Sequence, residues 1–431
     1  MSELYQPMTV AAKPTRAAFG FILVTVMLDT LAFGVMIPVL PKLLVTLQGG
    51  DIAGAATILG IFGTVWAVMQ FIASPILGSL SDRFGRRPVI LISMAGLSVD
   101  YVLMALAPTV AWLFIGRVLS GITTSGFPTA MAYIADTTAP ELRTKRFGLV
   151  GAAWGFGFIV GPAFGGLLAG IDLRAPFWVA AGLCMLNAAY GFFILPESLP
   201  KERRSSFKWR NANFFGSLKL LRSAPALLGI ALAMFFVRLG HDAHPAIAVI
   251  YAQFRYAWNE QQVGLMLATV GVSSMIVQAL LIGPVVKRLG DRGALVLGLS
   301  FGTLSFVIYA LAPEGWIFLA GIPFGALFGF VGPAMQGIAT RAVGDNNQGQ
   351  LQGALASLTS IATIIAPLLF TQTFALGIAM TSIPGAVGLP YALAAIFLFV
   401  ALLLAWRQTQ TQTQTQTQTQ TQTKKPQVAV P

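Results

Sequence analysis

Twelve apolar stretches, each about as long as a bilayer is thick, constrain this chain more than any other feature. They lie near 18–40, 55–79, 88–107, 109–134, 147–170, 175–195, 225–250, 263–286, 294–312, 315–339, 350–375 and 387–406, and are called spans 1 to 12 below. About 20 apolar residues carry a helix across the hydrocarbon core. In lipid the backbone must satisfy itself, so helices or closed barrels are the only spanning structures. Barrel strands would be shorter and strictly alternating, which these stretches are not. The predicted class is an all-α integral membrane protein. The chain is 56% hydrophobic and 10% charged, where soluble domains are about a quarter charged. The first stretch is too long for a signal peptide and lacks a small-residue cleavage site, so it counts as span 1. One cysteine, Cys184, excludes an internal disulfide and sits in an apolar span.

The charge is arranged by side. The net charge is +12, which in a soluble chain would point to nucleic acid. With a cytoplasmic N-terminus and alternating loops, cytoplasmic segments hold 22 of the 27 Lys and Arg. The outer segments hold Lys42, Arg174 and Arg255, and two more, Arg117 and Arg238, lie inside spans. That is the positive-inside pattern. Both termini are expected in the cytoplasm, with the basic excess as an orientation signal and a lipid contact; no nucleic-acid partner is expected.

The chain reads as two halves. A basic linker, 196–224, carries seven basic and two acidic residues and a short interfacial helix near 212–222. Residues 1–17 form the cytoplasmic N-terminus, 18–195 and 225–406 two six-helix bundles, and 407–431 a Thr-Gln tail. The tail has almost no apolar surface to bury, so disorder is expected. An internal repeat supports the division. "GSLSDRFGRRP" from Gly78 matches "GPVVKRLGDRG" from Gly283, "TAMAYIA" near 129 matches "PAMQGIA" near 333, and Pro162 matches Pro367, at offsets of 204 or 205. Parallel six-helix repeats flanking a mid-membrane site are a transporter architecture.

Gly78–Pro88 is the loop between spans 2 and 3. Gly78 and Gly85 permit the turn, Pro88 suits a helix start, and Arg83, Arg86 and Arg87 hold the loop inside. Asp82 among arginines can form a breakable ion pair. A plain positive-inside turn is the alternative for the basic cluster alone. The second copy has Lys287 in place of Asp82, so it is expected to be weaker. In the next cytoplasmic loop, Asp136 ends span 4 beside Arg143, Lys145 and Arg146, as part of an inner gate or as a solvated cap.

Span 5, "GAAWGFGFIVGPAFGGLLAG", has Gly151, Gly155, Gly157, Gly161, Gly165, Gly166 and Gly170. Glycines four apart clear a helix face for close backbone approach, and Pro162 removes a backbone bond. Span 11 keeps the proline but has Ala366 where span 5 has Gly161.

Ionisable residues inside spans cost roughly 2.5–3.5 kcal/mol each at the membrane centre. Asp29 (span 1), Asp100 (span 3) and Arg117 (span 4) need pairing or a wet cavity. At ~1.5 Å of rise per residue the two aspartates lie ~18 Å from the cytoplasmic end and Arg117 ~12 Å from the outer end, one level at which they could meet. Asp100 and Arg117 read as a proton-coupling pair or a fixed packing pair. A desolvated carboxylate takes up a proton readily, and a nearby arginine opposes this. A carboxylate that alternates between those settings couples protons to movement, and Asp29 is the leading candidate.

These motifs together resemble the tetracycline efflux family of the major facilitator superfamily. The Gly78–Pro88 loop matches the superfamily's signature loop, and G-x-x-x-G-P-x-x-G-G in span 5 is similar to the motif of its proton-coupled drug antiporters. The stretches "MQFIASPILGSLSDRFGRRPVILISMAGLSVDYVLMAL", "GRVLSGITTSGFPTAMAYIADTTAPELRTKRFGLVGAAWGFGFIVGPAFGGLLAG" and "QGQLQGALASLTSIATIIAPLLF" carry the resemblance. It implies a twelve-helix transporter of the bacterial inner membrane that exchanges a cytoplasmic drug, in the best-known members a tetracycline chelated to a divalent cation such as Mg2+, for protons. It also implies transport roles for Asp29, Asp82, Asp100 and Arg117, with Asp82 holding the inner side closed against the opposite half. This chain departs in the second half: Gly302 stands where some relatives carry an aspartate in span 9, and Ser274 where some carry a histidine in span 8.

Span 7 holds the ionisable groups that remain there. Arg238, His241 and Asp242 share a face at i, i+3 and i+4; His241 lies ~24 Å in from the cytoplasmic side, in the outer third. Arg238 is expected to pair with Asp242. The three are candidates to replace the chemistry missing from spans 8 and 9. Alternatively His244 and Asp242 are solvated at the outer mouth. Gln70, Ser120, Thr123, Asn187, Gln336, Ser357 and Thr359 are candidate lining residues of a largely apolar drug cavity, each alone being an ordinary helix-helix contact.

The resulting expectation is a monomeric alternating-access antiporter of a small amphiphilic drug, tetracycline-type first, with no bound cofactor or protein-held metal. A proton-coupled exporter of an endogenous metabolite or another drug class is the alternative. A non-transporting receptor or scaffold is a further alternative, against which the three buried charges and the full loop motif argue. An enzyme is the least expected class, since the sequence has no nucleophile triad, metal-ligand cluster or nucleotide loop.

Overall fold

The computed structural model describes residues 16–124, 126–138, 140–205, 225–341 and 348–423. The linker's interfacial helix, the first fifteen residues and the last eight lie outside the described residues. Every regular element described is helical. Ten stretches among the described residues are long and apolar enough to cross a membrane. One of them, Glu260–Leu311, has 52 residues, about 78 Å as one straight helix, more than twice a bilayer core. It holds spans 8 and 9 and turns at Gly290, whose φ is 66°. Span 7 is the remaining crossing. It consists of Pro225–His241 and Ala243–Tyr256, interrupted at Asp242. A single uninterrupted helix over 225–250 is therefore corrected: Pro245 has no N–H to donate to the His241 carbonyl four residues back, and the helix is interrupted at Asp242.

Several other spans are also jointed. Span 1 is Arg16–Met36 followed, after a turn at 37–39, by the short helix Leu40–Leu47 with Pro41 in its first turn. Span 4 is Val110–Thr123 and then Gly126–Thr137. Span 10 is Gly315–Leu327 and Val331–Arg341 joined by a 3-10 turn at Phe328–Phe330. Spans 2 (Ile52–Phe84), 3 (Arg86–Leu106), 5 (Pro140–Ala169), 6 (Ala175–Ile194) and 11 (Gln348–Ala379) run unbroken, three of them through an internal proline. The last helix, Leu389–Thr423, continues through the Thr-Gln repeat, where composition predicts disorder. An apolar span already nucleated lets each added residue gain a backbone bond without the nucleation cost.

The chain divides into two units, one of 1–50, 65–212 and 258–268, the other of 51–64, 213–257 and 269–431. In the first, span 1 packs on spans 5 and 6, and span 3 on spans 4 and 6. A core of Phe21, Ile22, Ile90, Tyr133 and Val150 fills one end of it. In the second, span 12 packs on spans 7 and 9, and span 11 on span 7. Its core includes Leu299, Phe330, Met335 and Leu355. Apolar side chains such as Ile92, Leu186, Phe193 and Leu265 stand exposed, which suits a lipid solvent.

Candidate functional site

Close packing of span 5 on span 1 comes first, because it fixes Asp29. A Cβ on Gly157 would lie 2.7 Å from the Met27 carbonyl oxygen, and one on Gly161 2.7 Å from that of Leu31. Gly165 would strike Val35. On another side of the same helix, Gly166 abuts the backbone of Glu260, and Pro162 that of Gly264, both at the start of span 8. Gly151 and Gly155 face open space, so the packing motif is shorter than the glycine run implies.

Asp29, half-buried on the packed span 1, accepts a hydrogen bond from Asn187 Nδ2 at 3.4 Å. Asn187 is itself 1% exposed, and Thr25 Oγ1 donates to its Oδ1 at 3.2 Å. Asp100 and Arg117 form a separate pair: Arg117 Nη2 lies 3.3 Å from Asp100 Oδ2 and 3.1 Å from Met104 Sδ. Among the described residues no basic side chain forms an ion pair with Asp29. The three charges do share one neighbourhood, around Tyr101 and Cys184, but Arg117 pairs with Asp100 and not with Asp29. Equal depth says nothing of which way a helix faces, and Asp29 faces span 6.

The turn between spans 2 and 3 is one residue, Gly85, with φ 108°. Arg86 is the hub. It pairs with Asp82 at 2.5 Å and Asp136 at 3.1 Å, and donates to Ser81 Oγ at 2.6 Å. Arg87 donates to the Phe192 carbonyl, and Arg83 lies over the Phe84 ring. Glu197, after span 6, accepts the backbone N–H of Arg86 at 2.8 Å and of Arg87 at 3.3 Å. This carboxylate caps the dipole of span 3 and was missed from sequence. The signal was there: it is one of two acids in a basic linker. Arg143 and Arg146 serve carbonyls and a hydroxyl of the span 4–5 turn; the side chain of Lys145 lies outside the described residues.

In the second unit, Asp242 sits at the break in span 7 and is 7% exposed. Its Oδ2 accepts from Arg238 Nε at 2.9 Å and from Thr363 Oγ1 of span 11 at 2.9 Å. His241 Nδ1 lies 3.5 Å from Oδ1. Thr363 is a second residue that sequence reasoning did not single out. His244 stacks among Tyr309, Phe318 and Tyr391. Solvation of Asp242 and His244 is thereby corrected: Asp242 is buried against Arg238 and Thr363, and His244 lies among three aromatic rings. A Cβ on Gly302 would meet the Phe328 ring at 2.6 Å, and that ring stacks on His241 with centroids 5.2 Å apart.

The candidate cavity residues divide between the two units: Gln70, Ser120, Thr123 and Asn187 belong to the first, and Gln336, Ser357 and Thr359 to the second. Ser120, Thr123, Asn187 and Ser357 are buried in helix packing. Thr123, Ser357 and Thr359 donate to carbonyls four residues back on their own helices. Gln70 and Gln336 are half-buried.

With this geometry in place, comparison with known proteins decides the family. Residues 22–367 match the family model described as Major Facilitator Superfamily. The chain belongs to the major facilitator superfamily. Within it, the chain is 40% identical over 354 residues to the class C tetracycline resistance protein of Escherichia coli, covering 82% of this chain and 89% of the relative. It is 39% identical to the class G protein of Vibrio anguillarum, with the same coverage. Its fold is that of the human organic anion transporter MFSD10 (TM-score 0.66, 21% identity, 91% of this chain and 99% of the other). A variant of the nucleoside transporter NupG matches at TM-score 0.75 and 12% identity, with the same coverage. The protein is a multi-pass membrane transporter of the tetracycline-resistance type, and not an enzyme.

Proposed function

We propose that this protein exports tetracycline-type drugs, as Mg2+ chelates, in exchange for protons by alternating access. The observation that carries the reading is the 40% identity to a tetracycline resistance protein over 82% of the chain. The position of Asp29 supports the proton half. It is a half-buried carboxylate without an ion-pair partner among the described residues, on a helix whose close packing against Gly157, Gly161 and Gly165 allows rigid movement. A proton arriving from outside neutralises it, weakens its bond to Asn187, and favours drug release outside. Deprotonation toward the cytoplasm restores the charge and the drug-binding state. The Asp82–Arg86–Asp136 cluster opens and closes the inner end. Charge asymmetry supports a bacterial inner-membrane location with cytoplasmic termini; we take the working unit to be a monomer in contact with anionic lipid.

The test is tetracycline uptake into everted membrane vesicles energised by a proton gradient, with and without Mg2+. The wild type should accumulate drug only with the cation, and Asp29→Asn should abolish uphill accumulation. No tetracycline-driven proton movement in the wild type would overturn the drug reading and favour a metabolite exporter on the same fold.

A further inference from the structure

Asp242 is a buried acid built into a joint. The inner half of span 7 ends at His241, the outer half begins at Ala243, and Asp242 is the only residue between them. Its backbone bridges the two, its N–H donating to the Arg238 carbonyl at 3.0 Å and its own carbonyl accepting from Ala246 at 3.2 Å. Its carboxylate ties the joint to span 11 through Thr363, whose hydroxyl also accepts from Arg238 Nε at 3.1 Å. A carboxylate that is 7% exposed thus gathers a guanidinium, a hydroxyl and an imidazole, while the Arg238 and His241 side chains remain 41% and 48% exposed. The buried group has accessible neighbours on two sides.

Static glue would not require this composition. A buried ion pair is costly to desolvate and often replaceable by apolar residues. An intramembrane carboxylate beside an exposed imidazole has a route for protons that an apolar joint lacks. The surroundings add no competing charge among the described residues. Span 11 presents Thr363, span 10 presents Phe328, and span 12 presents Leu398 against Gly240. The next titratable groups, His244 with Tyr309 and Tyr391, form a separate stacked cluster on the outer half-helix.

We infer that Asp242 is a second proton site, loaded through His241 and held ionised by Arg238 and Thr363, so that span 7 straightens or bends at this joint with each proton. A proton taken up by the exposed imidazole passes to Asp242. The neutral acid then loses its ionic hold on Arg238 and its grip on span 11 weakens. Loss of the proton restores both. This deepens the antiport reading and rests on it.

One experiment tests it with two readouts. The first is tetracycline accumulation in everted vesicles against imposed pH gradients, with the membrane potential clamped by valinomycin and potassium, alongside drug exchange at equilibrium without a gradient. Each coupled proton multiplies the accumulation ratio by about ten per pH unit. Asp242→Asn should lower that ratio about tenfold per pH unit while leaving equilibrium exchange intact. His241→Gln should move the pH profile. The second readout needs no substrate: the infrared C=O stretch of a protonated carboxyl should titrate in the purified wild type and lose one component in Asp242→Asn. Thr363→Val, which removes the hydroxyl that ties the carboxylate to span 11, should shift the pH at which the Asp242 infrared component titrates. An unchanged slope and an unchanged infrared titration would overturn the assignment. So would loss of exchange together with accumulation in a variant that retains the wild-type infrared component. If the wild type carries no tetracycline, the export reading fails alone and the infrared titration still decides Asp242.

Discussion

Breaking the Asp100–Arg117 pair from one side should be far worse than removing it from both. Asp100 is fully buried and Arg117 is 4% exposed. The contact is monodentate at 3.3 Å. Asp100 Oδ1 and Arg117 Nε have no hydrogen-bond partner, and each such orphan costs ~1–3 kcal/mol. The attraction therefore offsets little more than the desolvation and orphan costs. Asp100→Asn leaves a buried guanidinium uncompensated, and Arg117→Met leaves a buried carboxylate; each should cost ~3–5 kcal/mol. The double variant removes both charges and the Arg117 orphan at nearly constant volume; the neutral amide at position 100 still costs ~1–3 kcal/mol while unpaired, so the double variant should lie within ~3 kcal/mol of the wild type. The double-mutant cycle should thus show a coupling of several kcal/mol rather than additivity. Unfolding in dodecyl maltoside titrated with dodecyl sulfate, followed by tryptophan fluorescence, measures all four proteins. Additive single costs, or singles costing under ~1 kcal/mol, would refute the argument. Transport by the double variant separates the two roles: a folded, active double variant leaves the pair a packing device, and a folded, inactive one makes it part of the coupling machinery.

The span 5 contacts predict a gradient of tolerance along one helix. Gly151→Ala should keep wild-type uptake, while Gly161→Val should reduce it at least about tenfold, the effect of ~1.4 kcal/mol misplaced into an interface; vesicle uptake normalised to protein level checks both. Gly85→Ala should lower thermal stability by ~1–2 kcal/mol from backbone strain alone, and more from collision with Glu197, the cap of span 3. Glu260, 7% exposed, pairs with the half-exposed Lys42 at 2.7 Å, so Lys42→Met should destabilise more than Glu260→Gln, because only the former strands a buried carboxylate. Thermal unfolding in detergent should rank them in that order; equal effects would show that the carboxylate is not desolvated.

The spans were legible because lipid leaves the chain so few choices, and the Asp82–Arg86 part of the gate because its charges are close in sequence. Asp82 was expected among arginines and pairs with Arg86; Asp136 was expected to meet Arg143, Lys145 or Arg146 and instead meets Arg86, 50 positions away, while Arg143 and Arg146 donate to the turn. What sequence could not show was direction. Rise per residue put Asp29 level with Arg117, yet the face of span 1 packed on span 6 gives it Asn187 instead. Likewise Thr363, 121 residues from Asp242, carries no local mark of its partner. The joint at Asp242 had a local mark in Pro245, which cannot donate to the His241 carbonyl, but a proline inside a span does not by itself say that the helix breaks: Pro75, Pro162 and Pro367 lie in unbroken helices.

The repeat shows where local pattern and tertiary chemistry part company. Its glycines agree in conformation, Gly85 with φ 108° and Gly290 with φ 66°. The second copy was expected to be weaker because Lys287 replaces Asp82. The structure instead preserves the contact between turn and span end with its signs exchanged. Arg86 meets Asp136 in the first unit, and Asp291 meets Arg341 in the second, each partner 205 positions on from its counterpart. A turn-to-helix ion pair needs opposite charges at two places and does not specify which place carries which. Matching residue by residue reads the copy as degenerate, whereas matching by contact finds one ion pair kept. The arginine hub ties the first turn to span 4 through two carboxylates, and its reversed counterpart ties the second turn to span 10 through one, on a more exposed arginine.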